Sequence, residues 1–253
     1  MIIMKKIYFT LIALLASINM FAQGWPVNYS GVMLQGFSWD SYDYSQWNVL
    51  EKQADDMKGF IDLVWLPQSG KCIETTQVMG YMPYYYFNQN SSFGTEAELR
   101  SLIAKFKANG IGAIADVVVN HRNTDGWYTF PAETYKGVTY QMLSTDICKN
   151  DDDGSTATQA KKDGVSLSNN YDEGTDFGGC RDIDHKSENV QKIIKAYLKF
   201  LKEDMGYTGF RYDMVKGFSG THVGDYNDAT GVEFSVGEYW DGNPSINSSL
   251  IIQ

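Results

Sequence analysis

Residues 112–120, GAIADVVVN, form a nearly continuous apolar run, which is typical of a strand in a parallel sheet buried on both faces. Working outward, further strand-like segments occur at 32–37, 61–67, 209–215 and 234–240. Patterns typical of amphipathic helices alternate with these strands at 47–60, 95–110 and 187–207. Thr95 and Ser187 stand where helix caps are expected. Strands that alternate with helices in this way predict βα units and a parallel sheet.

The segment 122–184 interrupts this alternation, since it has few periodic stretches and is rich in Asp, Gly, Thr and Asn. It lies between one predicted strand and the helix that follows it. A loop of this length within a compact domain is either functional or a small inserted domain. We therefore interpret 122–184 as an insertion into the α/β framework.

The first 22 residues have the organisation of a signal peptide. Lys5 and Lys6 precede an apolar run from Ile7 to about Ala16, and Ala22 is a small residue that suits cleavage. The apolar run is too short to span a bilayer. We expect export, with the mature chain secreted or periplasmic and not bound to a membrane. A buried N-terminal helix is the alternative interpretation.

The composition narrows the class of partner. The chain has 253 residues and a formal net charge of −10, which argues against nucleic acid as a partner. Its hydrophobic fraction of 43% is enough for a sizeable core in one large domain or two small ones. The aromatic fraction of 14% suits such a core and equally suits a site that stacks on flat ligands or sugar rings. An acidic balance favours solubility and also suits the binding of hard cations.

The chain has three cysteines, Cys72, Cys148 and Cys180. An oxidising compartment permits one disulfide and a spare thiol. A Cys148–Cys180 bridge would lie within the insertion, and three free, mostly buried thiols are the alternative. The sequence has no CxxC motif or Cys/His cluster that would indicate zinc.

Two opposite charges inside the apolar stretch GFRYDMVKG, residues 209–217, mark a candidate site. Burying charge costs several kcal/mol unless the charge is paired, and Arg211 and Asp213 lie on the same face of the predicted strand. They are expected at the C-terminal end of a parallel strand, where α/β barrels place their chemistry. The next strand ends with Glu238. Carboxyl groups on adjacent strand ends can lie about 5–5.5 Å apart, which is the separation in retaining glycosidases.

The surroundings are expected to give these two carboxyl groups different roles. The neighbouring Arg211 would hold Asp213 in the ionised form, as a nucleophile requires. Glu238 lies beside Tyr239 and Trp240, so we expect a raised pKa for Glu238 and a role as the acid and then the base. The alternative is a structural Arg–Asp pair and an unrelated glutamate.

Seven segments together resemble the α-amylase superfamily of retaining glycoside hydrolases. DVVVNH (116–121), GFRYDMVKG (209–217) and VGEYW (236–240) match its first three signature regions in order. The other four resemble plant and archaeal α-amylases in particular: GVMLQGFSWDSY (31–42), VWLPQ (64–68), GYMP (80–83) and DFGGCRDIDH (176–185). The resemblance implies a (β/α)8 barrel with a B domain inserted after strand three. It also implies endo-hydrolysis of α-1,4-glucosidic bonds in starch or glycogen, with retention of configuration.

The resemblance also implies roles for individual residues. It makes Asp213 the nucleophile, Glu238 the acid and base, and Arg211 the group that orients Asp213. The residues that it implies for binding the α-glucan or supporting the site are Asp116, Tyr81, His121 and Lys216. It further implies a chain that is monomeric when complete.

The family binds Ca²⁺ where the B domain meets the barrel, and calcium prefers six to eight oxygen ligands. The positions that match its ligands are Asn120, Asp176, Asp182 and the backbone carbonyl groups of Gly179 and Gly217. Asp151 matches a carboxylate at a further calcium. The NDDDG segment (150–154) is not an EF-hand, because Lys149 stands at the first ligand position.

The sequence departs from the family pattern towards its end. We find no counterpart of the fourth signature region, which carries an Asn-His-Asp triplet and a third catalytic carboxylate. We therefore expect a barrel truncated after about strand five, without strands six to eight or the C-terminal β domain. The expected divisions are a signal peptide (1–22), strands one to three (23–121), the B domain (122–184), and strands four and five (185–253).

A barrel of this kind would expose sheet edges and lack one carboxylate of the site. We therefore expect the 253-residue chain to be poorly soluble and to have little or no amylase activity. The alternative to an α-amylase is a non-catalytic fragment that at most binds glucan or calcium. A transglycosylase of the same superfamily is a third interpretation.

Overall fold

The structure is a computed structural model that describes residue 26 and residues 28–240. Its strands and α-helices in chain order are β1 (Met33–Gln35), α1 (Trp47–Met57), β2 (Leu63–Leu66), α2 (Glu96–Ala108), β3 (Gly112–Val117), β4 (His121–Arg122), β5 (Glu133–Tyr135), β6 (Val138–Tyr140), α3 (Ser155–Asp163), β7 (Arg181–Asp182), α4 (Glu188–Lys199), β8 (Gly209–Tyr212), α5 (Gly220–Thr230) and β9 (Ser235–Gly237). Helix α4 continues into a π-helical turn, Phe200–Met205, where the sequence predicts one long helix.

The main sheet has five strands in the order β1-β2-β3-β8-β9, and all four neighbouring pairs are parallel. Helices α1, α2 and α5 connect β1 to β2, β2 to β3 and β8 to β9. Each crossover therefore leads to the adjacent strand, as in a β/α barrel. The parallel sheet predicted from the alternating pattern is confirmed. The carboxyl ends of all five strands lie at one edge of the sheet, because parallel strands run in the same direction.

The core lies between the sheet and the helices. Strand β3 is buried along almost its whole length, as its apolar run predicts, although it ends at Val117. Helix α2 buries Leu99, Leu102, Ile103 and Phe106, the face that the sequence pattern predicts. Its first turn has the predicted capping box between Thr95 and Glu98. Full burial of each large apolar side chain contributes about 1.5–3 kcal/mol, so this face is enough to hold the helix on the sheet.

The segment between β3 and α4 is structured in short pieces. Strands β4 and β7 pair antiparallel, strands β5 and β6 form a second antiparallel pair, and α3 lies between these pieces in the chain. The register of the first pair sets His121 opposite Asp182. This pairing brings the beginning and the end of the segment together beside the sheet. The limits 122–184 for an inserted domain stay a prediction.

The three cysteines are buried and unpaired. The predicted Cys148–Cys180 bridge is therefore not present, and the alternative of three buried thiols describes the structure. Burial raises the pKa of the Cys180 thiol to about 12 and that of Cys72 to about 12. Thiols of this kind are unreactive at neutral pH.

The predicted signal peptide, residues 1–22, lies outside the described residues. Among the helices that the structure does describe, none combines the length and the apolar character needed to cross a membrane.

Candidate active site and cation site

Arg211 occupies the centre of the candidate active site. The register of the sheet sets it beside Asp116 of β3 and Val236 of β9. Its Nη1 lies 2.8 Å from Asp116 Oδ1 and 2.7 Å from Asp213 Oδ1. Its Nη2 lies 2.8 Å from Glu238 Oε1. One buried cation thus binds carboxylates at the ends of three adjacent strands, which explains why charged residues stand in so apolar a stretch.

The backbone fixes the two carboxylates that follow β8 and β9. The Asp213 N–H donates to the Val117 carbonyl at 2.9 Å, and the Glu238 N–H donates to the Tyr212 carbonyl at 2.8 Å. Glu238 Oε2 also accepts from the Met214 N–H at 3.1 Å. Met214 adopts a left-handed conformation with φ +46°, which is unfavourable for a residue with a side chain. Strain of this kind concentrates at functional sites, and here it turns the chain directly after Asp213.

Burial raises the pKa values of two carboxylates in this site, Asp213 and Asp116. It raises the pKa of Asp213 to about 7, with a contribution from the charge of Asp116, although Arg211 acts in the opposite direction. Burial also raises the pKa of Asp116 to about 6. The sequence predicts that Arg211 favours the ionised form of Asp213, which would keep its pKa low. The structure differs because Asp116 and Asp213 are buried, so both have lost most of their contact with water, and they share one guanidinium group with the partly exposed Glu238.

Aromatic residues surround Asp116. The Trp65 indole N–H and the Tyr81 hydroxyl donate to Asp116 Oδ2 at 3.1 and 3.2 Å. The Arg211 guanidinium lies over the Trp65 ring, 4.6 Å from its centroid. Trp39 lies parallel to Tyr81 with 6.1 Å between ring centroids and is 69% exposed. Sequence reasoning identified Tyr81 but missed Trp39 and Trp65, although both stand in segments that carry the family resemblance.

His121 and Lys216 lie in different environments. His121 is buried, stacks on Phe177 with 3.8 Å between ring centroids, and places Nε2 2.8 Å from the Tyr81 carbonyl oxygen. Burial lowers the pKa of His121 to about 4, so the neutral ring donates to that carbonyl. Lys216 Nζ lies 3.3 Å from the centroid of the Trp240 ring, which is exposed. His121 therefore binds the backbone of Tyr81 from within the protein. Lys216 and Trp240, in contrast, form part of the surface near Glu238.

A second group of carboxylates lies where β4 and β7 pair. Asp151, Asp176 and Asp182 each place one oxygen within 4.8 Å of the others. The Asn120 amide donates to Asp182 Oδ1 at 3.1 Å. The Gly217 backbone packs so closely on Asn120 that an added Cβ would lie 1.9 Å from Asn120 Oδ1. The structure therefore brings together four side chains that the resemblance implies as calcium ligands, with Gly217 against them.

Asp172 belongs to the same group and was missed by sequence reasoning. Its Oδ2 is buried and has no hydrogen-bond partner among the described residues. Burial and the charge of Asp176 raise the pKa of Asp172, and burial together with Asp176 raises that of Asp182 to about 10. Buried carboxylate oxygens that lack a cation suit a hard divalent ion, which would reverse these pKa shifts. The acidic stretch YDEGTD (171–176) was the available signal.

Asp151 is bound more completely than the other members of this group. Its Oδ2 lies 2.6 Å from Arg181 Nη1 and accepts from Thr156 Oγ1 at 2.6 Å. Its Oδ1 accepts from the Asp182 N–H at 2.6 Å. Asp151 thus lies in the same cluster as Asp182 and already has a cationic partner. Gly179, the remaining predicted ligand position, lies against the Phe177 ring, where an added Cβ would be 2.7 Å from the nearest ring atom.

Known proteins resemble this chain over most of its length. Alpha-amylase 3, chloroplastic, of Arabidopsis thaliana is 34% identical, over 83% of this chain and 22% of its own length. Probable alpha-amylase 2 of the same plant is 31% identical, over 83% of this chain and 47% of its own length. A glucan 1,4-alpha-maltotetraohydrolase of Stutzerimonas stutzeri is 26% identical, over 85% of this chain and 39% of its own length. The chain spans less than half of the length of these relatives.

Two solved structures of alpha-amylases align with most of this chain. An alpha-amylase from Malbranchea cinnamomea aligns with a TM-score of 0.56 at 21% identity, over 85% of this chain and 47% of its own. Alpha-amylase I from Eisenia fetida aligns with a TM-score of 0.59 at 17% identity, over 85% and 46%. The predicted (β/α)8-barrel type of fold is thereby confirmed. The family described as "Alpha amylase, catalytic domain" matches residues 61–241, and the chain belongs to this family.

Proposed function

We propose that this chain forms the carboxylate site of an exported glycoside hydrolase that cleaves internal α-1,4 bonds of starch or glycogen with retention. One observation carries the proposal. Asp116, Asp213 and Glu238 meet on Arg211 at the carboxyl edge of a parallel sheet. Paired carboxylates at that edge are what retaining glycoside hydrolysis requires, and the family match supports the same chemistry.

In the proposed mechanism Asp213 attacks the anomeric carbon while Glu238 protonates the oxygen of the leaving sugar. The resulting glycosyl ester on Asp213 is then hydrolysed by a water molecule from which Glu238 removes a proton. Asp213 is buried beside Arg211, which can orient it as a nucleophile. The Glu238 side chain is 35% exposed, so it can exchange protons with a leaving group and with water. Asp116 contacts the same Nη1 atom of Arg211 as Asp213 does.

The aromatic residues near these carboxylates suit a sugar chain. Trp39 and Tyr81 offer parallel rings beside Asp116, and flat apolar faces of this kind stack on sugar rings. Lys216 and Trp240 lie on the Glu238 side and would contact the leaving part of the glucan. His121 would act on the substrate through Tyr81, since the His121 ring is buried.

We further propose that Asp172, Asp176 and Asp182 bind Ca²⁺ with Asn120 and the carbonyl groups of Gly179 and Gly217. Asp151, which already pairs with Arg181, borders this site. Bound calcium would supply the positive charge that these buried carboxylates lack. Asn120 directly precedes β4, and Asp182 ends β7. A calcium ion bound by Asn120 and Asp182 would join the beginning and the end of the segment between β4 and β7 next to the main sheet. We propose a structural role for the ion: it would fix the position of β4, whose His121 contacts the Tyr81 carbonyl in the candidate active site.

Export rests on the composition of residues 1–22, and the only partner proposed is an α-glucan. Expression of the chain with these residues intact in a bacterial host tests export directly. A processed chain in the periplasm or medium, with an N-terminus near residue 23, is expected. An unprocessed chain that stays in the cytoplasm would contradict this part of the proposal.

The proposed chemistry is tested by incubating residues 23–253 with soluble starch in calcium. Release of new reducing ends of which the α-anomer appears first in proton NMR spectra supports retaining hydrolysis. First appearance of the β-anomer would contradict it. Transfer products longer than the substrate would favour a transglycosylase. Calcium-dependent stability without turnover would favour the non-catalytic alternative, and the expectation of little activity from this chain stays a prediction that the same assay tests.

A further inference from the structure

The segment 81–87 has no helix or strand of its own, yet it carries Tyr81 to the candidate active site. Such a segment must satisfy its backbone polar groups with other parts of the protein. Three of its carbonyl groups accept from consecutive residues of the chain after β3. His121 Nε2 lies 2.8 Å from the Tyr81 oxygen, and the Asn123 N–H donates to the Pro83 oxygen at 2.9 Å.

The third carbonyl, that of Tyr84, is bound by Arg122. Arg122 Nη2 and Nε donate to the Tyr84 oxygen at 2.7 and 3.1 Å. The guanidinium group also lies over the Tyr86 ring, 4.1 Å from its centroid. Arg122 is 1% exposed, although arginine is rarely fully buried without a partner. Arg122 is therefore buried against the segment and bonded to its backbone.

Glu133 of β5 completes the arrangement from within the insertion. Its Oε2 lies 2.8 Å from Arg122 Nη2, and its two carboxylate oxygens accept from the Tyr86 and Phe87 N–H groups at 2.9 and 2.8 Å. The glutamate is also buried. The pair thus binds three backbone groups of segment 81–87: the N–H groups of Tyr86 and Phe87 and the carbonyl group of Tyr84. Lys71 adds a separate contact, since its carbonyl accepts from the Tyr85 N–H at 2.9 Å.

We propose that Arg122 and Glu133 are a positioning pair that holds segment 81–87 and so places Tyr81 against Asp116. The insertion thereby determines how well the candidate active site is formed. The kinetic part of this inference rests on the proposed function, and the structural part does not. Fixed backbone contacts matter here because a small displacement of a substrate-positioning residue can lower a rate by orders of magnitude.

Hydrogen exchange tests the structural part without any assay of activity. Glu133→Gln keeps the shape of the side chain but replaces one acceptor with an amide donor. We expect amide exchange in peptides covering 84–87 to rise at least about tenfold in the full chain. Glu203→Gln is the matched control, because Glu203 forms an exposed pair with Lys136 outside both sites. Unchanged exchange in the Glu133→Gln protein would overturn the proposal.

A double-mutant cycle with Tyr81→Ala tests the kinetic part. If the pair acts through Tyr81, Glu133→Gln lowers kcat/KM on starch about tenfold when Tyr81 is present and less than about twofold when it is absent. An equal effect in both backgrounds would mean that the pair only stabilises the fold, and would overturn the proposal.

Three further outcomes also have a defined consequence. If the unmodified chain hydrolyses no starch, the non-catalytic alternative is favoured over the proposed function. The same cycle is then measured as the free energy of unfolding, and additive effects of Glu133→Gln and Tyr81→Ala overturn the positioning pair. If Glu133→Gln does not fold, both measurements are made on Arg122→Lys, which keeps the charge but cannot bind Tyr84 and Glu133 through one planar group. If neither variant folds, the pair is required for folding and the proposal is wrong.

Discussion

The sheet-edge group and the insertion group are clusters of carboxylates in the described part of the protein, and they differ in how their charge is balanced. In the sheet-edge group, Asp116, Asp213 and Glu238 all contact the guanidinium of Arg211. The insertion group consists of Asp151, Asp172, Asp176 and Asp182. Arg181 contacts Asp151 and the neighbouring Asp152. Asp182 accepts hydrogen bonds from neutral amides, those of the Asn120 side chain and the Phe177 backbone. The first group has an internal cation at its centre, and the second has one only at its edge.

This difference separates two uses of the same residue type. A carboxylate beside a fixed cation stays available for reaction near neutral pH, since the pKa of Asp213 is raised only to about 7. A carboxylate without such a cation holds its proton, and the pKa of Asp182 rises to about 10. The first group therefore suits nucleophilic chemistry, and the second suits a divalent metal ion.

The sharpest test makes the same substitution in both groups. Asp213→Asn removes the proposed nucleophile, and we expect any kcat that the unmodified chain has on starch to fall by about 10⁴- to 10⁶-fold, the range found when one member of a catalytic unit is removed. Asp182→Asn is expected to reduce calcium binding while retaining most activity at saturating calcium. Reducing-end assays and calcium calorimetry on both variants would check this. Equal losses of activity in the two variants would remove the distinction between the groups.

Removing the central cation should have the next largest effect. Arg211→Gln leaves the buried Asp116 and Asp213 without their shared cation, so we expect a loss of about 3–5 kcal/mol in the free energy of unfolding at pH 7. Arg181→Gln serves as the control, because its side chain is more exposed than that of Arg211 and it balances only the edge of its group. Urea unfolding measures both values. A larger loss for Arg181→Gln would contradict the assignment of Arg211 as the central cation.

Calcium should stabilise the chain through the insertion group alone. At a hundredfold excess over its Kd, a ligand that binds only the folded state adds about 2.7 kcal/mol. We expect a higher Tm in calcium than in chelator, and we expect Asp176→Ala to remove most of this increase while Asp116→Asn retains it. An equal Tm with and without chelator would exclude the proposed site.

The pH dependence of that stabilisation has a defined sign. Because the folded pKa of Asp182 is about 10 and its unfolded value is near 3.9, the chelated protein binds the proton more tightly when folded. It should therefore lose stability as pH rises from about 4 towards 10, by at most about 1.4 kcal/mol per pH unit for this one group. Calcium should abolish this slope, and its effect on Tm should be larger at pH 8 than at pH 5. Thermal unfolding across this range checks both points.

The smallest expected effect concerns the sheet-edge group. A nucleophile must be ionised, so kcat/KM should rise with pH up to about 7, the pKa of Asp213 in the free protein. Asp116→Asn removes a neighbouring negative charge and should move this limb to lower pH, by about one unit or less. A limb that moves to higher pH would show that Asp116 acts mainly by holding Arg211.

The sequence by itself determined the features that depend on local pattern. Apolar runs and helical periodicity predicted the parallel sheet, and Thr95 with Glu98 predicted a capping box that the structure contains. The spacing of Arg211 and Asp213 placed them on one side of a strand, where the structure joins them at 2.7 Å. These features follow from neighbours in the chain, so they can be read without knowing the fold.

Only the tertiary structure decided the features that depend on distant parts of the chain. It placed Trp65 on Asp116 and Glu133 on Arg122, added Asp172 to the insertion group, and left Cys148 and Cys180 unpaired. It also raised the pKa of Asp213 through burial, where the sequence predicted that Arg211 would favour the ionised form. The physical reason is that contacts across the fold, and the loss of water around a charge, are set by how separate elements pack together and not by their spacing in the sequence.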